Sequence, residues 1–137
     1  MSESGVTTGN ESTIPVAPEF FVRDLSASLG FYIEALGFRA VRTEASFAVV
    51  ALGDTYVLLA VADETTPRTR EWLATGPRGI GCNIHIMVDD IEAIHRRVSK
   101  HGVAIVHEIG DREFGLRDFI VADPDGFLLR FAAPIAR

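Results

Sequence analysis

The chain has 137 residues, 47% of them apolar, with a formal net charge of −6 and one cysteine. That length suits one compact domain with a real core, and the charge argues against nucleic acid as a partner while mildly favouring cationic ligands. One thiol, Cys82, excludes an intrachain disulfide framework and fits a reducing compartment, and no apolar run approaches the roughly 18–20 residues of a membrane span. The polar stretch 1–13, without an apolar signal core, is expected to be a disordered tail on a cytoplasmic protein.

Val16–Val22 reads as a strand that ends at Asp24, a helix N-cap. Leu25, Leu29, Ile33 and Leu36 then recur at helical spacing, and Gly37 stops the helix. Phe38–Thr43, Phe47–Leu52 and Tyr56–Val61 are β-type runs, the last two split by Gly53-Asp54. The connector 63–78 breaks this pattern with Pro67, Pro77 and a short helical stretch around Glu71–Ala74. The order then repeats. Gly81–Val88 is a strand; Asp90 caps a helix that carries Ile91, Ile94 and Val98 and ends at Gly102. Val103–His107, Arg117–Ala122 and Phe127–Ala132 complete the set, with the turn Asp123-Pro124-Asp125-Gly126 before the last.

The repetition extends to wording. Val22-Arg23-Asp24-Leu25 and Val88-Asp89-Asp90-Ile91 each close a strand and open a helix, 66 residues apart. The reading is an α+β fold of two βαβββ modules, residues 14–62 and 79–134, in one domain spanning 14–134, with a cleft between curled mixed sheets. Neither half is large enough to be comfortably stable alone, so the two should share a core.

Strand alternation sorts side chains by face. Ile84, Ile86 and Val88 should lie under their own helix, as should Pro18, Phe20 and Val22. The opposite face carries Asn83, His85 and Met87 in one copy and Ala17, Glu19 and Phe21 in the other, which makes Glu19 the counterpart of His85. A Glu inside a cleft costs several kcal/mol unless paired or hydrated. Glu19 and His85 are therefore read as polar anchors for a ligand. A shifted metal pair and a purely structural hydrogen-bonded pair are the competing readings. Phe47, Tyr56 and Phe114 are assigned to the cleft walls and Trp72, on the connector, to its mouth; Phe31, Tyr32 and Phe38 are assigned to packing. His95 and His101 are expected at the surface, His107 at the cleft rim, and Asp123 and Asp125 as turn formers.

The stretch from Pro18 to Tyr32, and the closing Glu108-Ile109-Gly110, Phe114-Gly115-Leu116-Arg117-Asp118-Phe119 and Asp123-Pro124-Asp125-Gly126, resemble the vicinal oxygen chelate superfamily. That group includes glyoxalase I, extradiol dioxygenases and fosfomycin-resistance enzymes, and the similarity is greatest to its bleomycin-resistance branch. The resemblance implies paired chains with ligand clefts between subunits. It also implies metal-ligand positions, and these hold Ala17, Asn83 and Arg130. Alanine coordinates nothing, asparagine is a weak ligand and arginine repels a cation. The expectation is a homodimer without metal or other cofactor that sequesters a small molecule through Glu19, Phe21, Phe47, Tyr56, Trp72, Asn83, His85, Met87, Phe114 and Arg130. The alternative is a metal-dependent lyase or dioxygenase with a rearranged ligand set.

Overall fold

Two four-stranded mixed sheets, each crossed by helices on one face, make up the molecule, and neither closes into a barrel. The computed structural model describes residues 14–61, 66–75 and 78–135, so the expected tail at 1–13 lies outside the described residues. In the first module β1 (Glu19–Val22), β2 (Arg39–Thr43), β3 (Phe47–Leu52) and β4 (Thr55–Val61) are ordered β1-β4-β3-β2. In the second, β5 (Asn83–Met87), β6 (Ile105–Asp111), β7 (Leu116–Ala122) and β8 (Leu128–Pro134) are ordered β5-β8-β7-β6. The first strand of each module pairs with the last in parallel and all other pairs are antiparallel. The two βαβββ units read from the repeated phrase are thus present in the expected order.

Helix α1 (Leu25–Leu29) starts where Asp24 accepts a hydrogen bond from the Ala27 N–H at 3.1 Å. Helix α3 (Ile91–Lys100) starts the same way, with Asp90 accepting from Ala93 at 3.0 Å. Both helical stretches end at a glycine with positive φ, Gly37 at 90° and Gly102 at 67°. Each stop is closed by a bond from the residue after the glycine back into the last turn, Phe38 to the Tyr32 carbonyl and Val103 to the Val98 carbonyl. A third helix, α2 (Pro67–Leu73), is capped by Thr66, starts four residues ahead of the Glu71–Ala74 stretch read from sequence, and buries none of its residues.

Two helical expectations need correction. The first helix is not α-helical throughout, because Gly30–Ala35 widens into a π-helix in which the Leu36 N–H reaches the Phe31 carbonyl. Its buried stripe is Leu25, Ser28, Tyr32, Ala35 and Leu36, while Leu29 and Ile33 are only partly buried. His95 is not a surface residue either. It shares the sheet-facing stripe of Ile91, Ile94 and Val98, meets Phe119 edge-on at 5.2 Å, and leaves its Nε2 buried without a partner among the described residues. His101 is exposed at the helix end, its Nδ1 2.9 Å from the Arg97 carbonyl.

One core serves both modules. Phe20, Val22, Tyr32, Leu36, Val50 and Leu59 from the first pack in the same cluster as Ile86, Val98, Phe119, Val121, Leu129 and Phe131 from the second. Phe127 crosses the boundary to stack on Phe20, with ring centroids 4.1 Å apart. The aspartates of the β7–β8 turn do more than shape that turn. Both are buried, and both hold the first module. Asp123 accepts from the Tyr32 hydroxyl at 2.8 Å. Asp125 Oδ1 accepts from the Arg23 backbone N–H at 3.1 Å and from Arg23 Nη1 at 2.9 Å, and Arg78 Nη1 lies 3.6 Å away. Arg78 also donates to the Phe21 carbonyl at 2.7 Å, and burial, followed by the like charge of Arg23, lowers its pKa.

The other seam between the modules differs. Asp89 stands in the second copy where Arg23 stands in the first, and the β3–β4 turn, Gly53-Asp54, stands where Asp123–Gly126 does. There the turn, Asp89 and Asp90 line an open hollow of ≈ 520 Å³ with Leu52, Met87 and Ile94.

Candidate functional site

Each sheet turns one face to its helices and leaves the other open, and each open face holds a hollow. Register explains the membership. In the first sheet Glu19 pairs with Leu58 and Leu58 with Val49, while Phe21 pairs with Ala60 and Ala60 with Phe47. Ala60, the small residue between Phe21 and Phe47, leaves space between the two rings. The result is a hollow of ≈ 370 Å³ lined by Glu19, Phe21, Arg42, Glu44, Ser46, Phe47 and Ala60. Arg42 lies over the Phe47 ring at 5.1 Å and pairs with Glu44 at 3.3 Å. Glu19 is exposed on this face and not buried.

In the second sheet His85 pairs with Arg130 and Arg130 with Ile120, and Asn83 pairs with Leu128. Here the hollow measures ≈ 460 Å³ and is lined by Asn83, Val106, His107, Arg112, Phe114, Asp118, Ile120, Leu128 and Arg130. Its centre is a carboxylate between two guanidinium groups. Asp118, only 2% exposed at its side chain, accepts from Arg112 Nε at 2.7 Å and from Arg130 Nε at 2.9 Å, and Arg130 Nη2 also reaches it. Burial alone would push the Asp118 carboxyl up, but the hydrogen bonds from Arg112 and Arg130 outweigh it and hold the group below the usual carboxylate value. Arg130 lies over the Phe114 ring at 5.5 Å.

The residues singled out by sequence therefore divide. Glu19, Phe21 and Phe47 line the first hollow, and Asn83, Phe114 and Arg130 the second. His85 and Met87 are exposed on β5 beside the second, with His85 Nε2 3.3 Å from Met87 Sδ. Tyr56 shares the Glu19 face further along β4, where Arg39 lies over its ring at 5.8 Å. Trp72, 65% exposed on α2, has the Arg68 guanidinium 5.8 Å from its ring centroid and lines neither hollow. Glu19 and His85 lie on different sheets of the chain. Arg112 and Asp118 were not singled out. Register shifts in β6 between Ile105 and His107 and between His107 and Gly110 break the count of two that would have aimed Arg112 inward.

A metal centre at the implied positions does not fit these side chains. Ala17 has no donor, Asn83 is exposed, and Arg130 fills its place with a cation already bonded to Asp118. Among the described residues, no three His, Cys, Asp or Glu side chains converge on a point where an ion could be held. No helix among them is long and apolar enough to cross a membrane.

Paired βαβββ sheets with open, ligand-sized faces define the class, and the sequence comparison agrees. Residues 15–131 match the model of the glyoxalase/bleomycin resistance protein/dioxygenase superfamily, and the chain belongs to that family. A bleomycin resistance protein of Geobacillus stearothermophilus is 29% identical over 126 residues, covering 87% of this chain and 93% of its own. The same fold occurs in TioX from Micromonospora sp. ML1, with TM-score 0.69 and 20% identity over 89% of this chain and 97% of that one. It occurs again in a glyoxalase/bleomycin resistance protein/dioxygenase from Nocardioides, with TM-score 0.68 and 21% identity over 91% of this chain and 89% of that one.

Proposed function

We propose that this chain is a metal-independent binding protein that takes a small aromatic or amphipathic molecule onto its open sheet faces and acts by sequestration. The observation that carries the reading is Arg130, whose guanidinium stands where the resemblance implies a metal ligand. A divalent ion there would meet a fixed positive charge instead of a lone pair. Apolar side chains left bare beside the second hollow, Met87, Val106 and Phe114, offer surface for rings. Similarity to proteins named for bleomycin resistance supports an antibiotic as the ligand class, and Glu19 supplies an anionic point for a cationic group. The working form is a cytoplasmic homodimer in which a second copy closes the open faces, consistent with an exposed, unpaired Cys82.

The test is a thermal-shift screen of bleomycin and other antibiotics, with and without chelator, joined to elemental analysis of the purified protein. A ligand that binds only the folded state raises its midpoint. The expected result is a drug that raises it equally with and without chelator. Stoichiometric Zn, Ni, Mn or Fe surviving dialysis would overturn the metal-independent reading.

A further inference from the structure

The second hollow has more positive charge than it uses. Arg112 and Arg130 share one carboxylate, Asp118, so the cluster carries a surplus of one positive charge in a chain whose net charge is −6. Both guanidinium side chains are only 24% exposed, so they are three-quarters withdrawn from water. Their committed donors are known. Arg112 gives Nε to Asp118 and Nη2 to the Glu108 and Asp118 carbonyls; Arg130 gives Nε and Nη2 to Asp118. The Nη1 group of each donates to no acceptor among the described residues. Beside them Phe114 is 63% exposed, an apolar platform next to a fork of N–H groups.

We propose that this hollow binds an aromatic oxyanion, with a carboxylate or phosphate on the free Arg112 and Arg130 donors and the attached ring against Phe114. The inference rests on the reading of the open faces as the ligand site and names the ligand class for one of them. Two half-buried guanidinium groups already held in place by Asp118 lose little freedom on binding, and their planar forks match carboxylate and phosphate oxygens. Asp118 sets the strength. It orients both arginines and cancels one charge of the two, so the site is a tuned anion holder and not a closed ion pair. The surplus stands against the cationic preference that net charge alone implies.

The experiment titrates the full-length protein calorimetrically with 1-naphthoate, 1-naphthyl phosphate and 1-naphthylmethylammonium, which share a ring system and differ in the charged group. At least one anion should bind about tenfold tighter than the cation, and the tighter of the two identifies the oxyanion. Arg130→Gln, which leaves Asp118 its bond from Arg112, should lower anion affinity about tenfold, with Arg130→Lys in between. Tighter binding of the cation, insensitive to Arg130→Gln, would overturn the oxyanion inference and leave the open-face reading standing. No binding of any naphthyl probe at millimolar concentration would likewise overturn the oxyanion inference, while the open-face reading stands or falls with the antibiotic screen.

Discussion

The Tyr32 hydroxyl donates to Asp123 Oδ2 at 2.8 Å, joining the first helix of one module to the last turn of the other across 91 residues of sequence. The same carboxylate organises its own turn, since Oδ1 accepts from the N–H groups of Asp125 and Phe127, each at 2.9 Å. Burial nevertheless raises the Asp123 pKa, with those three hydrogen bonds pulling the other way, and burial followed by Asp123 raises Tyr32 well above its ordinary 10.0. A side chain on one module thus completes the turn that ends the other.

Removing that hydroxyl tests the joint. Tyr32→Phe leaves a buried carboxylate oxygen without its donor and should cost about 1–3 kcal/mol, read from urea unfolding. The tyrosine also sets an alkaline limit. Above pH 10 the unfolded chain releases the Tyr32 proton while the folded chain keeps it. Stability therefore falls as pH rises past that value, and Tyr32→Phe should flatten the slope. Tyr32 should form its phenolate only on unfolding, as followed by phenolate absorbance.

Asp125 holds the neighbouring seam. Its side chain is 3% exposed and Arg78's is 6%, so Asp125→Ala strands a buried guanidinium beside Arg23. A loss of about 3 kcal/mol is expected from thermal or urea unfolding. The Arg78→Met/Asp125→Ala pair should lose less than the sum of its single variants, because the second change removes the stranded charge.

Two glycines should respond in opposite directions. A Cβ on Gly79 would lie 2.1 Å from the Gly126 carbonyl oxygen, and neither backbone has room to yield. Gly79→Ala should fail to give soluble, cooperatively folding protein. Gly30 has helical φ and open space around its missing Cβ. Gly30→Ala should raise stability by about 0.5–1 kcal/mol, since alanine loses less backbone freedom in a helix.

Val16, Ile80, Met87, Val106 and Phe114 all stand bare on a single chain. Light scattering at tens of micromolar should return twice the 14.9 kDa chain mass. A mass of one chain would remove the homodimer from the proposal.

The strands were legible because alternation survives where a strand is straight. Phe20 and Val22 turned inward and Glu19 outward, as did Ile86 against His85, and the repeated phrase correctly located both helix starts. Legibility failed where geometry is cooperative. The π-helical turn shifts the buried stripe toward Tyr32, which Asp123 meets from far along the chain, and no local pattern encodes that bond. Asp123 and Asp125 look like any turn pair until Arg23, Arg78 and Tyr32 arrive from elsewhere. Phe127 has a reason only once Phe20 lies against it. Arg112 was hidden by the bulges of β6, and so was the positive character of the second hollow.

The two seams between the modules also bear on the history of the duplication. Arg23 meets Asp125 on one side, while its counterpart Asp89 stands with Asp54 and Asp90 around open space on the other. A protein made of two second modules would set Asp89 against Asp125, carboxylate facing carboxylate, with no guanidinium between them. The halves are no longer interchangeable. Whatever symmetric ancestor the repeat preserves, the descendant has become a heterodimer within one chain, each half now an obligate partner for the other.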